Sequence, residues 1–312
     1  MEEDAKDASD SNLERLLRQG SFVVSAELGP PAGVDRAVIL KKCQYFRGVV
    51  DAVNVTDNQS AVVRMSSLMV SAILVQEGLE PIMQLTCRDR NRLALQSEVL
   101  SAAAAGIKNV LCLTGDHQSA GNQPDAKGVF DLDSTQLVNM VDEMNKGFFM
   151  NGEPVNPPPH MFVGATTNPF AEPFQMRIWN LAKKINAGAR FIQTQPVFDL
   201  PLFEKWMAAV RDQGLDQQAF ILAGAMPVKS AKALIYMRDH VPGMRIAGEY
   251  IRRMESAADP QKEGLAICAE IVRQLRDVTG VKGIHIMPVK WESITPQLVE
   301  ECGLRPAVAG IQ

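Results

Sequence analysis

The sequence Ser21-Phe-Val-Val-Ser-Ala-Glu-Leu-Gly-Pro-Pro31 combines a short apolar run, an acidic residue and a glycine–proline turn. Runs of this length that are rich in β-branched residues are typical of strands covered on both faces. Glu27 therefore lies near the predicted carboxyl end of a buried strand. The same pattern, an apolar run that ends in polar residues and leads into a helix-like stretch, recurs along the chain.

Eight such runs alternate with segments of helical spacing, and this alternation predicts a parallel α/β structure. The predicted strands are 21–28, 52–56, 81–87, 109–114, 161–166, 191–195, 220–226 and 283–288. The predicted helices are 35–46, 62–76, 92–105, 133–145, 173–187, 200–212, 230–239 and 295–302. In a chain of 312 residues, eight units of this length predict a single (β/α)8 TIM barrel over residues 13–312.

Three segments depart from the regular alternation. Residues 117–132 form a long loop after the fourth strand, where loops of this length are usually functional or disordered. Residues 247–277 add one or two extra helices before the eighth strand. We expect residues 1–12, which are acidic and polar, to form a flexible N-terminal segment.

Composition excludes several classes of protein. The hydrophobic fraction of 46% and the charged fraction of 22% are ordinary for a soluble globular protein. The net charge is −4 and aromatic residues make up 6%, which argues against a nucleic-acid partner. No apolar run approaches the roughly 20 residues of a membrane span, and the N-terminal segment has no apolar signal-peptide region. The sequence predicts a cytoplasmic protein.

The cysteines predict neither a zinc site nor a complete iron–sulfur motif, because they are widely spaced and form no CxxC pair. An odd number of dispersed cysteines suits a reducing compartment. The five are Cys43, Cys87, Cys112, Cys268 and Cys302.

Two acidic residues, Glu27 and Asp116, end the first and fourth predicted strands. A parallel barrel gathers the carboxyl ends of its strands around one mouth, where this fold places its chemistry. Two carboxyl groups in one partly dry mouth can differ in pKa, so that one donates a proton while the other stays ionised. Alternatively, each residue caps the helix that follows it, a reading that fits Asp116 better than Glu27. Gly115 leaves space for a flat ligand to approach the backbone.

Gln193 and Gln195 alternate along the sixth predicted strand and are expected to share one face, with Thr194 opposite. Amides that project into a barrel mouth suit the edge of a heterocycle that both donates and accepts hydrogen bonds. Packing of the top layer of the barrel is the other interpretation.

Basic residues near the predicted site have alternative readings. Lys183 and Lys184 can meet a phosphate or form a solvated helix face. His117 enters the long loop and can transfer protons, whereas His285 is expected at the end of the last strand away from the mouth, in a structural role. These residues support no histidine-based metal site. Together the features predict a barrel enzyme that acts on a polar heterocyclic ligand without a metal, and they leave the reaction open.

Six motifs, taken together, resemble the methylenetetrahydrofolate reductase (MetF-like) family. They are Ser25-Ala-Glu27-x-x-Pro-Pro, Gln84-Leu-Thr-Cys87, Leu113-Thr-Gly-Asp116, Asn180-Leu-Ala-Lys-Lys-Ile-Asn-Ala-Gly188, Gln195-Pro-Val-Phe-Asp199 and Gly224-Ala-Met-Pro-Val228. They cover nearly the whole barrel in order. The resemblance implies a flavoprotein oxidoreductase of one-carbon metabolism, with FAD at the carboxyl face of the barrel. The implied reaction is reversible reduction of 5,10-methylenetetrahydrofolate to 5-methyltetrahydrofolate, with hydride passing from N5 of the reduced flavin.

The resemblance also implies roles for individual residues. Glu27 would be the general acid that assists opening of the five-membered ring of the folate. Asp116 would supply negative charge beside the cation that forms, and Gln195, Ser25 and Asp116 would bind the substrate. The implied flavin-binding residues are Thr56, Gln84, Leu113, Thr114, Gly115, Asp116, Asn168, Asn180, Lys183 and Lys184.

Four departures from the family pattern leave FAD or FMN open. Gln84 stands where the family commonly has histidine, and Thr114 where it has arginine. Arg177 replaces an acidic residue, and the segment 165–169 replaces a turn that bears tyrosine.

Two further departures concern the electron donor. Ala233 and Met237 occupy positions that carry a folate-binding glutamine and a nicotinamide-holding phenylalanine in well-known members. Their presence predicts that electrons do not arrive directly from NAD(P)H. Asn168-Pro169 and 193–195 are similar to members from anaerobic one-carbon metabolism, where an iron–sulfur partner subunit can deliver electrons. We therefore expect an oligomer or a heterocomplex, with the cluster in the partner.

Three alternatives stay open at this point. One is another flavin barrel, such as a proline dehydrogenase-like oxidase. The others are a flavin-free pterin-binding methyl-transfer barrel and a binding subunit without catalysis of its own.

Overall fold

A computed structural model describes residues 9–241 and 243–304. Within them, eight parallel strands pair in sequence order and close into one barrel. Each strand is followed by at least one helix, so the predicted (β/α)8 TIM barrel is confirmed. Residues 1–8 of the segment expected to be flexible lie outside the described residues, as do Pro242 and residues 305–312.

The strands are β1 Val23–Leu28, β2 Ala52–Val55, β3 Pro81–Thr86, β4 Asn109–Leu113, β5 Phe162–Thr167, β6 Phe191–Pro196, β7 Phe220–Ala225 and β8 Val281–Ile286. The helices are α1 Asn12–Arg18, α2 Arg36–Phe46, α3 Ser67–Gln76, α4 Arg92–Ala104, α5 Ser134–Asn145, α6 Phe174–Asn186, α7 Leu200–Asp212, α8 Ala231–His240, α9 Gly248–Ser256, α10 Pro260–Asp277 and α11 Thr295–Glu301. One or two extra helices were expected within 247–277, and the structure has two, α9 and α10. Among the described residues, no helix combines the length and hydropathy needed to cross a bilayer.

Strand register decides which side chains meet inside the barrel. Ser25 of β1 pairs with Ala52 of β2 on one side and with His285 of β8 on the other. Because β8 closes the barrel against β1, residues 260 positions apart become neighbours. The main core lies between the sheet and the outer helices, and its largest fully buried side chains include Trp206, Phe46 and Phe203.

Helix α1 closes the base of the barrel, the end opposite the mouth. Leu13, Leu16 and Leu17 are buried there against apolar side chains that point into the barrel. Those side chains are Val23, Ala52, Ile82, Leu111, Phe162, Phe191 and Leu222. Gly164 makes this packing possible, because a Cβ at that position would lie 2.2 Å from the Phe191 ring.

Polar contacts attach the start of α1 to the barrel base. Ser11 is the N-cap, and its side chain accepts a hydrogen bond from the Glu14 backbone N–H. The Glu80 carboxylate accepts from the backbone N–H groups of Asn12 and Leu13, at 3.0 and 2.7 Å. Helix α1 was not predicted from the sequence, although Ser11-x-x-Glu14 has the form of a capping box.

The third helix begins later than predicted, at Ser67 rather than at residue 62. Within the predicted range, Val62 (φ −97°, ψ 125°) and Ser66 (φ −61°, ψ 146°) have extended backbone angles, which a right-handed helix excludes. The side chain of Ser66 caps the helix by accepting from the Met69 N–H.

Candidate active site

A cavity of about 390 Å³ lies at the mouth of the barrel. Every strand contributes to it a lining residue at or just after its carboxyl end. These residues are Glu27, Asp57, Gln84, Leu113, Thr166, Gln195, Met226 and His285. A site assembled from all eight strands is the arrangement on which barrel enzymes depend.

The structure brings most of the predicted site residues together in this cavity. Those that line it are Glu27, Gln84, Leu113, Thr114, Gly115, Asp116, Lys184 and Gln195. Ser25, Thr56, Asn168, Asn180 and Lys183 do not line it. Ser25 and Thr56 are buried in the barrel wall, whereas Lys183 is exposed on α6.

Glu27 projects into the cavity with few partners. Its side chain is 12% exposed. Its Oε1 accepts a hydrogen bond from Gln84 Nε2 at 3.3 Å and lies 3.6 Å from His285 Nε2. Both contacts are long for hydrogen bonds, so the carboxyl group retains capacity for a ligand.

The expectation for His285 was wrong, because this residue lies at the mouth beside Glu27. β8 begins at Val281, two residues earlier than predicted, and His285 is therefore its penultimate residue. Its Nδ1 lies 3.0 Å from Ser25 Oγ. The imidazole thus bridges Ser25 and Glu27, and the serine helps to fix the orientation of the ring.

Of the two interpretations of the glutamines, Gln193 follows the packing one. It is 1% exposed and exchanges two hydrogen bonds with Asn54, at 2.7 and 3.0 Å. Its Nε2 also donates to Ser25 Oγ at 3.3 Å. The amide therefore ties β6 to β1 and β2 beneath the cavity.

The alternation predicted for β6 is also broken, by an irregular register between Gln193 and Pro196. Thr194, expected on the opposite face, lines the cavity with both glutamines. Its hydroxyl donates to the Gln195 carbonyl and accepts from the Gly224 N–H. Gln195 is exposed, which leaves it as the glutamine that a ligand can reach.

Asp116 lies at the rim of the cavity, after a tight turn. Gly115 has a φ of +89°, a conformation that L side chains rarely adopt. Thr114 Oγ1 accepts from the Ser134 N–H at 3.3 Å, which joins the turn to the start of α5. Glu27 and Asp116 therefore line one cavity, the former half-buried and the latter exposed.

Sequence reasoning missed two charged residues that line the cavity, Asp57 and Arg88. The carboxylate of Asp57 is fully buried and accepts hydrogen bonds from the backbone and hydroxyl of Thr86 and from Arg90. Because the protein occupies its acceptor sites, Asp57 stabilises the cavity wall and is not free to bind a ligand. The signal for Asp57 was its position directly after the second predicted strand, and the signal for Arg88 was the charged run Arg88-Asp-Arg90 directly after the third.

Lys184 is the cationic member of the cavity on the α6 side. Its Nζ donates to the Thr166 carbonyl at 2.7 Å. Burial lowers the pKa of this lysine below its ordinary value, because the charged form is poorly solvated there. His117 does not line the cavity, and its Nδ1 lies 2.8 Å from the hydroxyl of Ser119 in the following loop.

Comparison with known proteins assigns the family. Residues 12–303 match the family model described as methylenetetrahydrofolate reductase. The chain belongs to the methylenetetrahydrofolate reductase family. The match spans the complete barrel from α1 to α11 and confirms the resemblance drawn from the six motifs.

Curated relatives carry the same family name. The chain is 26% identical over 319 residues to the 5,10-methylenetetrahydrofolate reductase of Pectobacterium carotovorum subsp. carotovorum, covering 97% of each chain. It is also 26% identical over 247 residues to a probable methylenetetrahydrofolate reductase (NADPH) of Caenorhabditis elegans. That alignment covers 78% of this chain but only 35% of the nematode protein.

Among solved structures, a protein from Clostridium thermocellum shares the fold. That protein binds two copies of 5-methyl-5,6,7,8-tetrahydrofolic acid. The TM-score is 0.67, with 13% sequence identity, over 93% of this chain and 98% of that one. At this identity the similarity establishes the barrel fold alone.

Proposed function

We propose that this protein catalyses the reversible reduction of 5,10-methylenetetrahydrofolate to 5-methyltetrahydrofolate, with a flavin and the folate bound in the cavity at the barrel mouth. The observation that carries the proposal is the position of Glu27. It is an under-bonded, half-buried carboxyl group in the cavity that all eight strand ends form. Membership of the reductase family supplies the reaction class.

The chemistry of the cavity wall fits an isoalloxazine ring. The wall offers apolar surface for ring faces from Leu113 and Met226, and amides for the polar edge from Gln84 and Gln195. When bound, a flavin supplies the hydride chemistry that no amino-acid side chain provides.

We propose FAD as the flavin, following the family. Lys184 is the cavity cation available to its anionic portion, with Thr114 and Gly115 beside the ring. Asn168, Asn180 and Lys183 would contact the remainder of the cofactor outside the cavity, and Thr56 would support the wall from behind. Release of the cofactor from the purified protein, followed by chromatographic identification, distinguishes FAD from FMN.

Glu27 acts as the general acid in the proposed mechanism. Its proton assists cleavage of the bond between the bridging carbon and a ring nitrogen of the folate, which leaves a cationic iminium that can accept hydride. His285 and Gln84 hold the carboxyl group in place, and Ser25 fixes the histidine. Asp116 lies in the same cavity, where its negative charge stabilises the cationic folate. Gln195 presents a free amide to the pterin edge.

We propose that electrons reach this site from an iron–sulfur partner subunit. Ala233 and Met237, where the resemblance places residues for folate and nicotinamide, are partly buried apolar side chains packed against the core. A steady-state assay of the isolated chain tests this part separately. Rapid NADH oxidation in the presence of methylenetetrahydrofolate would refute the requirement for a partner.

The proposed function itself is tested by anaerobic absorbance spectroscopy of the purified protein. We expect an oxidised-flavin spectrum that bleaches when 5-methyltetrahydrofolate is added, because the reaction is reversible. A protein that binds the folate but carries no flavin would indicate a methyl-transfer barrel. A flavin that stays oxidised at saturating folate would indicate a binding subunit.

A further inference from the structure

Arg88 is a buried arginine that lies between three loops at the barrel mouth. It follows β3, and its side chain is 3% exposed. Its guanidinium donates to the Asn58 carbonyl in the loop after β2, at 3.3 Å, and to the Asp116 carbonyl in the loop after β4, at 3.2 Å. It also forms a two-bond pair with the Asp89 carboxylate, at 2.8 and 2.7 Å. One side chain thus joins the ends of three neighbouring strands.

The backbone around Arg88 strengthens this junction. Its carbonyl accepts from the Val129 N–H at 2.8 Å, which attaches the long loop after β4 to the end of β3. A Cβ built on Gly115 would lie 3.1 Å from Arg88 Cβ. The turn that carries Asp116 therefore rests directly on the stem of the arginine.

The charge of Arg88 is kept in place by its surroundings. The hydrogen bonds with Asp89 raise the pKa of the guanidinium, and the charges of Asp57 and Asp116 act in the same direction against the effect of burial. A buried guanidinium is tolerated when its donors are satisfied, and its planar fork allows it to reach several acceptors at once. Lysine has neither the fork nor the reach.

We propose that Arg88 is the positioning residue for Asp116, and that through it Arg88 sets the affinity of the cavity for the folate substrate. The guanidinium holds the backbone of Asp116 at the rim and lies near its carboxylate. That the ligand is a folate rests on the proposed function. That Arg88 positions the turn carrying Asp116 rests only on the contacts described above.

A double-mutant cycle tests the coupling between the two residues. We expect Arg88→Met to weaken binding of 5-methyltetrahydrofolate, measured by calorimetry, on the order of tenfold in the wild-type background. In the Asp116→Asn background the same change should weaken binding by less than about twofold, since the group it positions is already altered. Equal losses in both backgrounds would overturn the proposal.

Arg92 offers a matched control. It forms the same kind of two-bond pair, with Asp131 at 2.8 and 2.9 Å, but its side chain is 54% exposed and does not line the cavity. Arg92→Met should leave the folate affinity unchanged. Arg88→Lys covers the case in which the methionine variant does not fold, because it retains the charge and loses the bridge. We expect that variant to weaken folate binding by an amount that again shrinks in the Asp116→Asn background.

Amide hydrogen exchange supplies a readout that needs no ligand. In Arg88→Met or Arg88→Lys, amides of residues 114–117 should exchange about tenfold faster than in the wild type, and those in Arg92→Met should not change. If the wild type binds no folate, the proposed function fails. The exchange rates of residues 114–117 then test on their own whether Arg88 positions the turn. Unchanged exchange in both Arg88 variants would then overturn its positioning role.

Discussion

Glu80 at the base of the barrel and Glu27 at its mouth differ in how many hydrogen bonds their carboxyl groups accept from the protein. Glu80 accepts four hydrogen bonds, from Ser11 Oγ, the N–H groups of Asn12 and Leu13, and Asn109 Nδ2, at 2.7 to 3.1 Å. Glu27 accepts one from Gln84 at 3.3 Å and has His285 at 3.6 Å. The protein itself fills the acceptor sites of the Glu80 carboxylate, whereas the Glu27 carboxyl group keeps acceptor sites that a ligand can use.

This difference in hydrogen bonding indicates which carboxyl group stabilises the fold and which is available for chemistry. A carboxylate whose acceptor sites are filled by the chain holds elements together, as Glu80 holds α1 against the base. A carboxyl group with long, few contacts in a cavity is available for proton transfer. Asp57 shows that position at the mouth is insufficient, because its carboxylate is occupied by Thr86 and Arg90.

The largest expected effect is at Glu27. Glu27→Gln should lower folate reduction with a dye as electron donor by about 100- to 10,000-fold, the range that general acid catalysis contributes. The bound flavin should still be reduced by dithionite. If the variant retains near-wild-type turnover, Glu27 is not the general acid, and the functional difference between Glu27 and Glu80 is wrong.

Leu13→Ala tests the base of the barrel. Leu13 is fully buried in the cluster that α1 forms with the barrel interior. We expect its truncation to lower the free energy of unfolding by about 2–5 kcal/mol, measured by urea denaturation. Leu93→Ala, at a side chain in α4 that is 75% exposed, should change it by less than about 0.5 kcal/mol. Equal losses of unfolding free energy in the two variants would show that the packing of α1 against the base does not stabilise the barrel.

Glu80→Gln is the direct counterpart of the change at Glu27. Its amide would place donors against the donors of α1, and we expect a loss of about 1–3 kcal/mol in the free energy of unfolding. Folate turnover at a temperature where the variant is folded should stay near the wild-type value. A large loss of turnover with no loss of stability would reverse the roles assigned to the two glutamates.

The smallest effect concerns the pH dependence at Lys184. Burial lowers its pKa in the folded state below the ordinary value of 10.5, so the unfolded chain binds more protons between those two values. The contribution of Lys184 to stability should therefore rise with pH across that window. The difference in unfolding free energy between the wild type and Lys184→Met should show this slope, and parallel curves would contradict it.

Local sequence signals identified the barrel and much of its mouth. Apolar runs that end in polar residues placed Glu27 and Asp116 at one end of a parallel barrel, and the cavity contains both. The start of β8 was misjudged by two residues, which moved His285 to the wrong end. The exchange of hydrogen bonds between Asn54 and Gln193 joins residues 139 positions apart, and no local pattern reports it.

The assignment of residues to ligand contacts was less complete, for a physical reason. Arg88 follows an ordinary buried strand, and its importance comes from two carbonyls supplied by other loops. Such a junction exists only after the barrel has closed. Asn168, Asn180 and Lys183 were assigned through family resemblance, and they lie outside the cavity in the folded chain.

A crystal structure of the protein with flavin and 5-methyltetrahydrofolate bound tests the central claim most directly. We predict that the isoalloxazine ring lies against the turn at Gly115 and that the pterin lies within hydrogen-bonding distance of Glu27, in the one cavity shared with Asp116. Density for either ligand at a different surface, with Glu27 facing an empty mouth, would contradict the account.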